Sequence, residues 1–417
     1  MAIIPVKGRK NTYDVIVWFR DHPGPDGRHR EGGRRVGLRA AKKLEHDMLK
    51  ARDEGRPTGK PPTFHDFARR YFNSRSDISA KTAQTYQDLT RWHIEPALGD
   101  LLLTQITQTQ VMEIHTAMRG RGLSEATVRH THRVLSMILD RAVADGYLER
   151  NPAWKALSRP HKAAGPDEPA RDRGLEPAYA QALLRHLAGT AVEVPARLAL
   201  ATALRKSEVL ALTWENVDFD ALDKEGRPAP VIRVRASLEQ VRQANRPGEA
   251  AVQRVAPKSP ASVRDVPLSA KAVVMLRHHK AAQAELKLKY QAKGMWRDEG
   301  LVFPITTPTQ SRNAGRMWSP DSFAGAWRKA LRQASERARV EFLEAGGDAA
   351  DFVPYYDNGV TFHQLRHTAV STWRAQGVPL AVVSKWCGHS SPVVTAGIYE
   401  HAQGAQREGI EATDALI

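Results

Sequence analysis

Residues 361–401 read TFHQLRHTAVSTWRAQGVPLAVVSKWCGHSSPVVTAGIYEH. Thr361 and Gln364 stand at capping-box spacing, so a helix starts there, carrying His363 and Arg366 three residues apart on one face. Gly377 ends it. A second helix opens with Pro379 in its first turn and stops at Gly388, leaving His389 in the turn that follows. Ser391 and Pro392 read as cap and first position of a third helix, with Tyr399 two turns along. Three short helices with tight stops thus deliver His, Arg, His and Tyr within one compact run.

These residue types suit one kind of chemistry. A phenol with a pKa near 10 is ionised only about once in a thousand at pH 7, so a nucleophilic Tyr needs a base or cationic surroundings. The planar fork of Arg matches the non-bridging oxygens of a phosphate, and imidazole gives or takes a proton near neutrality. Attack on a phosphodiester, with guanidinium and imidazole donors holding the developing charge, fits the set.

The motifs His363-Gln-Leu-Arg366-His367, Cys387-Gly388-His389 and Tyr399-Glu-His401 resemble the second box of the tyrosine recombinases, the phage integrase family. The resemblance demands an earlier Arg and a hairpin Lys. Residues 202–219, TALRKSEVLALTWENVDF, look like the first box, with Arg205 at the break between two helices, Ser207 able to cap the second, and Glu208 as the acidic neighbour that orients the site. Lys206 stands where the family more often has an aliphatic or small residue. Val231–Arg235 and a run near 250–255 carry strand signals, and Lys258-Ser-Pro-Ala-Ser-Val-Arg264-Asp-Val-Pro-Leu268 resembles the hairpin segment whose Lys is the general acid.

Composition agrees with a polyanionic partner. The chain has 417 residues, enough for two or three domains, with 62 Lys and Arg against 46 Asp and Glu and a net charge of +16. A single cysteine, Cys387, excludes an internal disulfide framework, suits a reducing compartment, and reads as a small buried residue rather than a nucleophile. No stretch approaches the ~18 apolar residues of a membrane span, and the opening MAIIPVKGRK turns basic too early for a signal peptide.

The expected fold class is mainly α with small β elements (α+β), in three domains. Residues 1–60 carry a β-rich run from Tyr13 to Arg20, a turn, a second strand near Arg28–Val36 and a basic helix near Leu38–Arg52, with fifteen Lys or Arg against eight Asp or Glu. A hairpin backed by a helix resembles the arm-type DNA-binding module of integrases. Residues 63–155 form a helical bundle, with apolar faces at helical spacing behind Thr63, Ser79, Thr107 and Ser124, and the helix after Ser79 is expected to stop before Pro96. WHIEPALGDLLLTQIT and GYLERNPAW resemble the family's core-binding domain. His130-Thr-His-Arg133 repeats the H-x-x-R pattern there, but no partner Tyr or glycine turn follows at a useful spacing, so Arg129, His130 and Arg133 read as a polar helix face. Residues 156–174 are a Pro- and charge-rich linker, and 175–417 a mixed α/β catalytic domain with helices near 270–292 and 321–346. A charged insertion at 336–351 reads as a solvated helix and turn, and the tail 402–417 as a segment that docks on a partner subunit. Tyr355 and Tyr356 are rival phenols that nothing in the pattern brings to the site.

The resemblance implies a site-specific recombinase or integrase of a phage or other mobile element. Tyr399 is the nucleophile, Arg205, Arg366 and His389 hold the phosphate, His363 is the base and Lys258 the acid. No cofactor and no metal are implied. Double-stranded DNA attachment sites, a homotetramer on DNA, DNA-bending accessory proteins and a bacterial cytoplasmic, nucleoid-associated location are. A non-cutting DNA-binding regulator or architectural protein, or an enzyme like the type IB topoisomerases, uses the same basic surfaces.

Overall fold

Six helices begin on side chains that accept from the backbone, which helps fix their starts: Thr63, Ser79, Thr107, Ser124, Ser269 and Ser319 each bond an N–H three residues on. The computed structural model describes residues 2–19, 29–53, 61–157, 174–242, 250–257, 262–308, 314–349, 351–352, 356, 359–388, 410, 413–414 and 416–417. These divide into two units, Met1–Ala163 and Ala164–Ile417. The described elements are mainly helical with small antiparallel sheets.

The first unit opens with strands β1 (Ala2–Pro5), β2 (Thr12–Phe19) and β3 (His29–Val36) in the order β1-β2-β3, with Ile3 opposite Val15 and Thr12 opposite Val36. Helix α1 (Leu38–Asp53) closes a small core of Val15, Ala41 and Met48. The sequence indicated the hairpin and the helix, whereas β1 is too short for its alternation to register.

Helices α2 (Phe64–Ser74), α3 (Ala80–Leu89), α4 (Glu95–Leu98), α5 (Gln108–Gly120) and α6 (Glu125–Ala144) enclose a second core that includes Phe64, Ile94, Leu103, Met118, Leu135 and Ile138. The expected stop before Pro96 does not occur. Instead Thr90–Ile94 widens into a π turn, in which the Glu95 N–H bonds the Thr90 carbonyl, and the chain passes through Pro96 into α4. Proline has no N–H and crowds the carbonyl four residues back, and the wider turn relieves both problems. On α6, Arg129 and Arg133 are exposed, and His130 meets Tyr86 edge-on at 5.8 Å, as the reading of a polar face requires.

The second unit contains α7 (Pro177–His186), α8 (Glu193–Thr202), α9 (Lys206–Ala211), α10 (Ala270–Gln291), α11 (Pro320–Glu344), α12 (Phe362–Ala375) and α13 (Leu380–Cys387). Strands β4 (Val217–Asp218), β5 (Val231–Val234) and β8 (Arg264–Pro267) form one sheet, and β6 (Ser237–Arg242) pairs with β7 (Ala250–Val255) as a hairpin. One apolar cluster joins these elements. Trp373 of α12 meets Trp386 of α13 edge-on at 5.0 Å, and Phe362 lies between Phe323 and Trp327 of α11.

Three expectations change here. Ser207 is not the cap of α9: Arg205 occupies that position, and Glu208 accepts from its N–H at 2.8 Å. The 336–351 insertion is not merely solvated, because Arg337 donates to the carbonyls of His186 and Ala188 while Glu341 accepts from His186 at 2.5 Å. The tail's described residues seat on their own chain: Ile410 and Leu416 enter the core, Thr413 donates to the Ala201 carbonyl at 3.3 Å, and Lys271 reaches the Asp414 carbonyl at 2.7 Å.

The helical bundle also buries a pair of imidazoles. His115 of α5 is 1% exposed and lies 5.0 Å edge-on from His132 of α6, with neither ring nitrogen of His115 partnered among the described residues. Burial, reinforced by His132 and Arg119 and opposed by Glu125, lowers the His115 pKa from 6.5 to about 4. A depressed imidazole leaves stability complete above pH 6.5 and removes it as the pH falls toward 4. Acidification from about pH 7.5 to about pH 5 is therefore expected to cost the bundle about 2 kcal/mol through this group. Hydrogen exchange of α5 and α6 measures the loss, and His115→Leu is expected to remove most of it.

Candidate active site

Arg205 comes first in the chain, and the local backbone explains where it points. Helix α8 ends at Thr202, Ala203 turns the chain with φ of 52°, and Arg205 follows in extended conformation as the cap of α9. A left-handed alanine costs on the order of 1 kcal/mol, so something must hold the turn. Arg366 of α12 does so, donating from Nη1 to the Ala203 carbonyl at 2.5 Å.

The same Arg366 donates from Nη2 to the Cys387 carbonyl at 2.8 Å, at the end of α13. Arg205 donates from Nη2 to the next carbonyl, that of Gly388, at 3.3 Å. The two guanidinium groups, one from the α8–α9 break and one from α12, therefore converge on neighbouring atoms of one helix terminus. Gly388, at φ 64°, supplies the left-handed stop that the glycine predicted.

Glu208 sits behind Arg205. Its carboxylate accepts from Arg205 Nη1 at 3.0 Å and takes both terminal nitrogens of Arg264 at 2.9 Å each. Arg264 Nε donates in turn to the Trp386 carbonyl at 2.5 Å. Burial would raise the Glu208 pKa, but the hydrogen bonds and charge of Arg264, joined by Arg205, outweigh it and hold the group below the usual carboxylate range. Burial, with repulsion from Arg205 and Arg264, lowers the Arg366 pKa to about 10, which leaves it charged at neutral pH. The Cys387 thiol is pushed up by burial against the pull of three arginines, so it stays protonated and is no nucleophile.

Exposure separates the cations by task. Arg205 keeps 35% of its side chain open, whereas Arg264 keeps 3% and Arg366 is buried. His363 is exposed one turn before Arg366 and meets His367 edge-on at 4.8 Å. Of the residues singled out in the sequence, Arg205, Glu208 and Arg366 come together here. Lys258, His389 and Tyr399 lie outside the described residues.

Of the rival phenols, Tyr355 also lies outside them, and Tyr356 is 2% exposed. The Tyr356 hydroxyl bonds His186 Nδ1 at 3.1 Å while His186 Nε2 meets Glu341, a chain that ties α7 to α11. Sequence reasoning missed the part played by Arg264. Its signal was strand register: Arg264 and Val266 share the buried face of β8, and an arginine on a buried face needs a carboxylate.

The pattern for the phage integrase central domain matches residues 64–158. A XerC-like tyrosine recombinase of Caldanaerobacter subterraneus subsp. tengcongensis is 26% identical over 319 residues, covering 74% of this chain and 71% of its own length. An integrase of Streptomyces ambofaciens is 28% identical over 322 residues, covering 76% and 71%. Among solved structures, the integrase of the Tn1549 transposon in complex with transposon right-end DNA superposes with a TM-score of 0.57 at 18% identity, over 84% of this chain and 98% of that one. That likeness extends the shared fold beyond the central domain. In its two sequence motifs, its matched central domain and the arginines that meet at one helix end, the chain is similar to the tyrosine recombinases of the phage integrase family.

Proposed function

We propose that the protein is a site-specific recombinase that cuts and rejoins double-stranded DNA through a 3′-phosphotyrosyl intermediate. The observation that carries the reading is the convergence of Arg205 and Arg366 on the adjacent carbonyls of Gly388 and Cys387, immediately before His389. Two fixed forks at one spot suit the two non-bridging oxygens of a phosphodiester.

In this mechanism the Tyr399 oxygen bonds phosphorus as the bond to the 5′ oxygen breaks. His363 takes the phenolic proton, and Lys258 gives one to the leaving oxygen. Arg205, Arg366 and His389 hold the charge that develops between these events. One ester replaces another, so the free 5′ hydroxyl of a second strand can reverse the step without an added energy source. Glu208 supports the site by holding Arg205.

The domain roles follow from the same reading. Residues 1–60 bind arm-type DNA, 63–155 grip the core site, 156–174 link the halves and 175–417 carry the chemistry. Exchange between two duplexes requires four cuts, hence a homotetramer on the attachment sites, with DNA-bending accessory proteins as further partners. Integration or excision of a phage or other mobile element is the biological setting, in a bacterial cytoplasm. Among the described residues, no helix is long and apolar enough to cross a membrane.

A nicked attachment-site duplex, from which the 5′ end diffuses away after cutting, tests the proposal. Wild-type protein is expected to accumulate a covalent DNA adduct, and Tyr399→Phe to form none. Arg205→Lys and Arg366→Lys are each expected to slow adduct formation about a hundredfold to a thousandfold. Tyr356→Phe is expected to keep the adduct rate, because that phenol is tied to His186 and shielded from substrate. No adduct on any candidate site would favour a non-cutting DNA-binding regulator, and adducts without strand exchange would favour a topoisomerase.

A further inference from the structure

The second fork on Glu208 comes from the sheet. Arg264 is the first residue of β8, opposite Val234 of β5, and its side chain runs inward beside the fully buried Val266. All three guanidinium nitrogens are engaged: Nη1 and Nη2 with the two oxygens of Glu208, Nε with the Trp386 carbonyl, and Nη1 also with the Ser262 carbonyl at 3.1 Å. With all three nitrogens engaged on protein acceptors, it holds the site together rather than a phosphate. Its bonds link the sheet to two parts of the site, the α9 cap and the end of α13.

We infer that Arg264 is a positioning residue: by clamping Glu208 and the Trp386 carbonyl, it sets the direction of Arg205 and fixes the end of α13 from which His389 departs. The functional half of this statement rests on the recombinase reading above. The physical argument is one of partners. Without Arg264, Glu208 remains buried with Arg205 as its cation on this side, and so draws that fork inward, away from solvent and substrate. The Trp386 carbonyl at the same time loses its donor, and the longer 3.3 Å contact from Arg205 to Gly388 is a weak substitute. A lysine at 264 can offer charge to one of these partners but cannot span both, because it lacks the planar fork.

The single cysteine of the chain makes this testable without any reaction. Cys387 is fully buried, directly after Trp386, so its modification by a thiol reagent in DNA-free folded protein reports how firmly the end of α13 is held. Arg264→Met is expected to speed labelling about tenfold or more and Arg264→Lys by less, since a breached buried pair loosens its surroundings. Leu183→Ala, a cavity in α7 chosen to match the loss in melting temperature, is expected to leave Cys387 protected in the folded state. On the nicked duplex, Arg264→Met is expected to lower the rate of adduct formation about a hundredfold at saturating DNA, with half-saturation unchanged and partial recovery in Arg264→Lys.

Unchanged protection in Arg264→Met, or equal loss of protection in Leu183→Ala, overturns the inference. If Arg264→Met does not fold, Arg264→Lys decides: faster labelling and a lower saturating rate support it, and wild-type values of both overturn it. Faster labelling of Arg264→Met, with wild-type protein itself forming no adduct, counts against the recombinase reading and for the role of Arg264 in holding α13.

Discussion

The carboxyl end of α13 is the constraint on which the second unit turns. Helix termini leave carbonyls without intrahelical partners, and the aligned peptide dipoles place about half a negative charge there. Three successive carbonyls, those of Trp386, Cys387 and Gly388, accept from Arg264, Arg366 and Arg205. Each arginine arrives from a different element, so one helix end fastens β8, α12 and the α8–α9 break together. Crowding three cations would be unfavourable by itself. The helix dipole offsets part of the repulsion, and Glu208, shared between Arg205 and Arg264, offsets more.

The resulting charge suits a changing substrate better than a static one. Three guanidinium groups and one carboxylate leave a formal excess of about two positive charges, partly offset by the helix dipole. A phosphodiester carries one negative charge, and the five-coordinate arrangement formed after deprotonated attack carries about two, so the match improves as the reaction advances. Rigidity is what makes that match useful. The left-handed Ala203 is held by Arg366, and Trp373 packs α12 on α13. Gly174 also approaches α12 so closely that a side chain there would lie 2.8 Å from the Thr368 backbone. Gly174 is thereby seated on the helix that carries His363 and Arg366.

What could be read from the sequence was local or periodic. Thr361 with Gln364, Gly377 and Gly388 bounded α12 and α13 because capping and left-handed stops depend on near neighbours. The Arg205 position was legible as a break between helices. Ser207 misled because its hydroxyl is a good cap in isolation, whereas Glu208 was already committed to the Arg205 N–H. The π turn at Thr90–Ile94 was hidden because a proline ordinarily ends a helix, and only packing against the bundle core makes continuation preferable. Arg337 and Glu341 looked like solvated charges and Arg264 had no role assigned, since their partners lie far away in the chain and no periodicity reports a tertiary ion pair. The tail residues Thr413 and Leu416 belong with these, because seating on α8 and the core is a tertiary choice.

The central claim is that the Arg205 and Arg366 forks surround a phosphorus that Tyr399 can attack. A crystal structure of the protein on attachment-site DNA carrying vanadate at the cut between a 3′ end and a 5′ hydroxyl tests it most directly. The expected result is a five-coordinate vanadium with the Tyr399 oxygen and the 5′ oxygen in line, and both guanidinium groups about 3 Å from its equatorial oxygens. Vanadate held without Tyr399, or with either arginine turned away from it, would contradict the account.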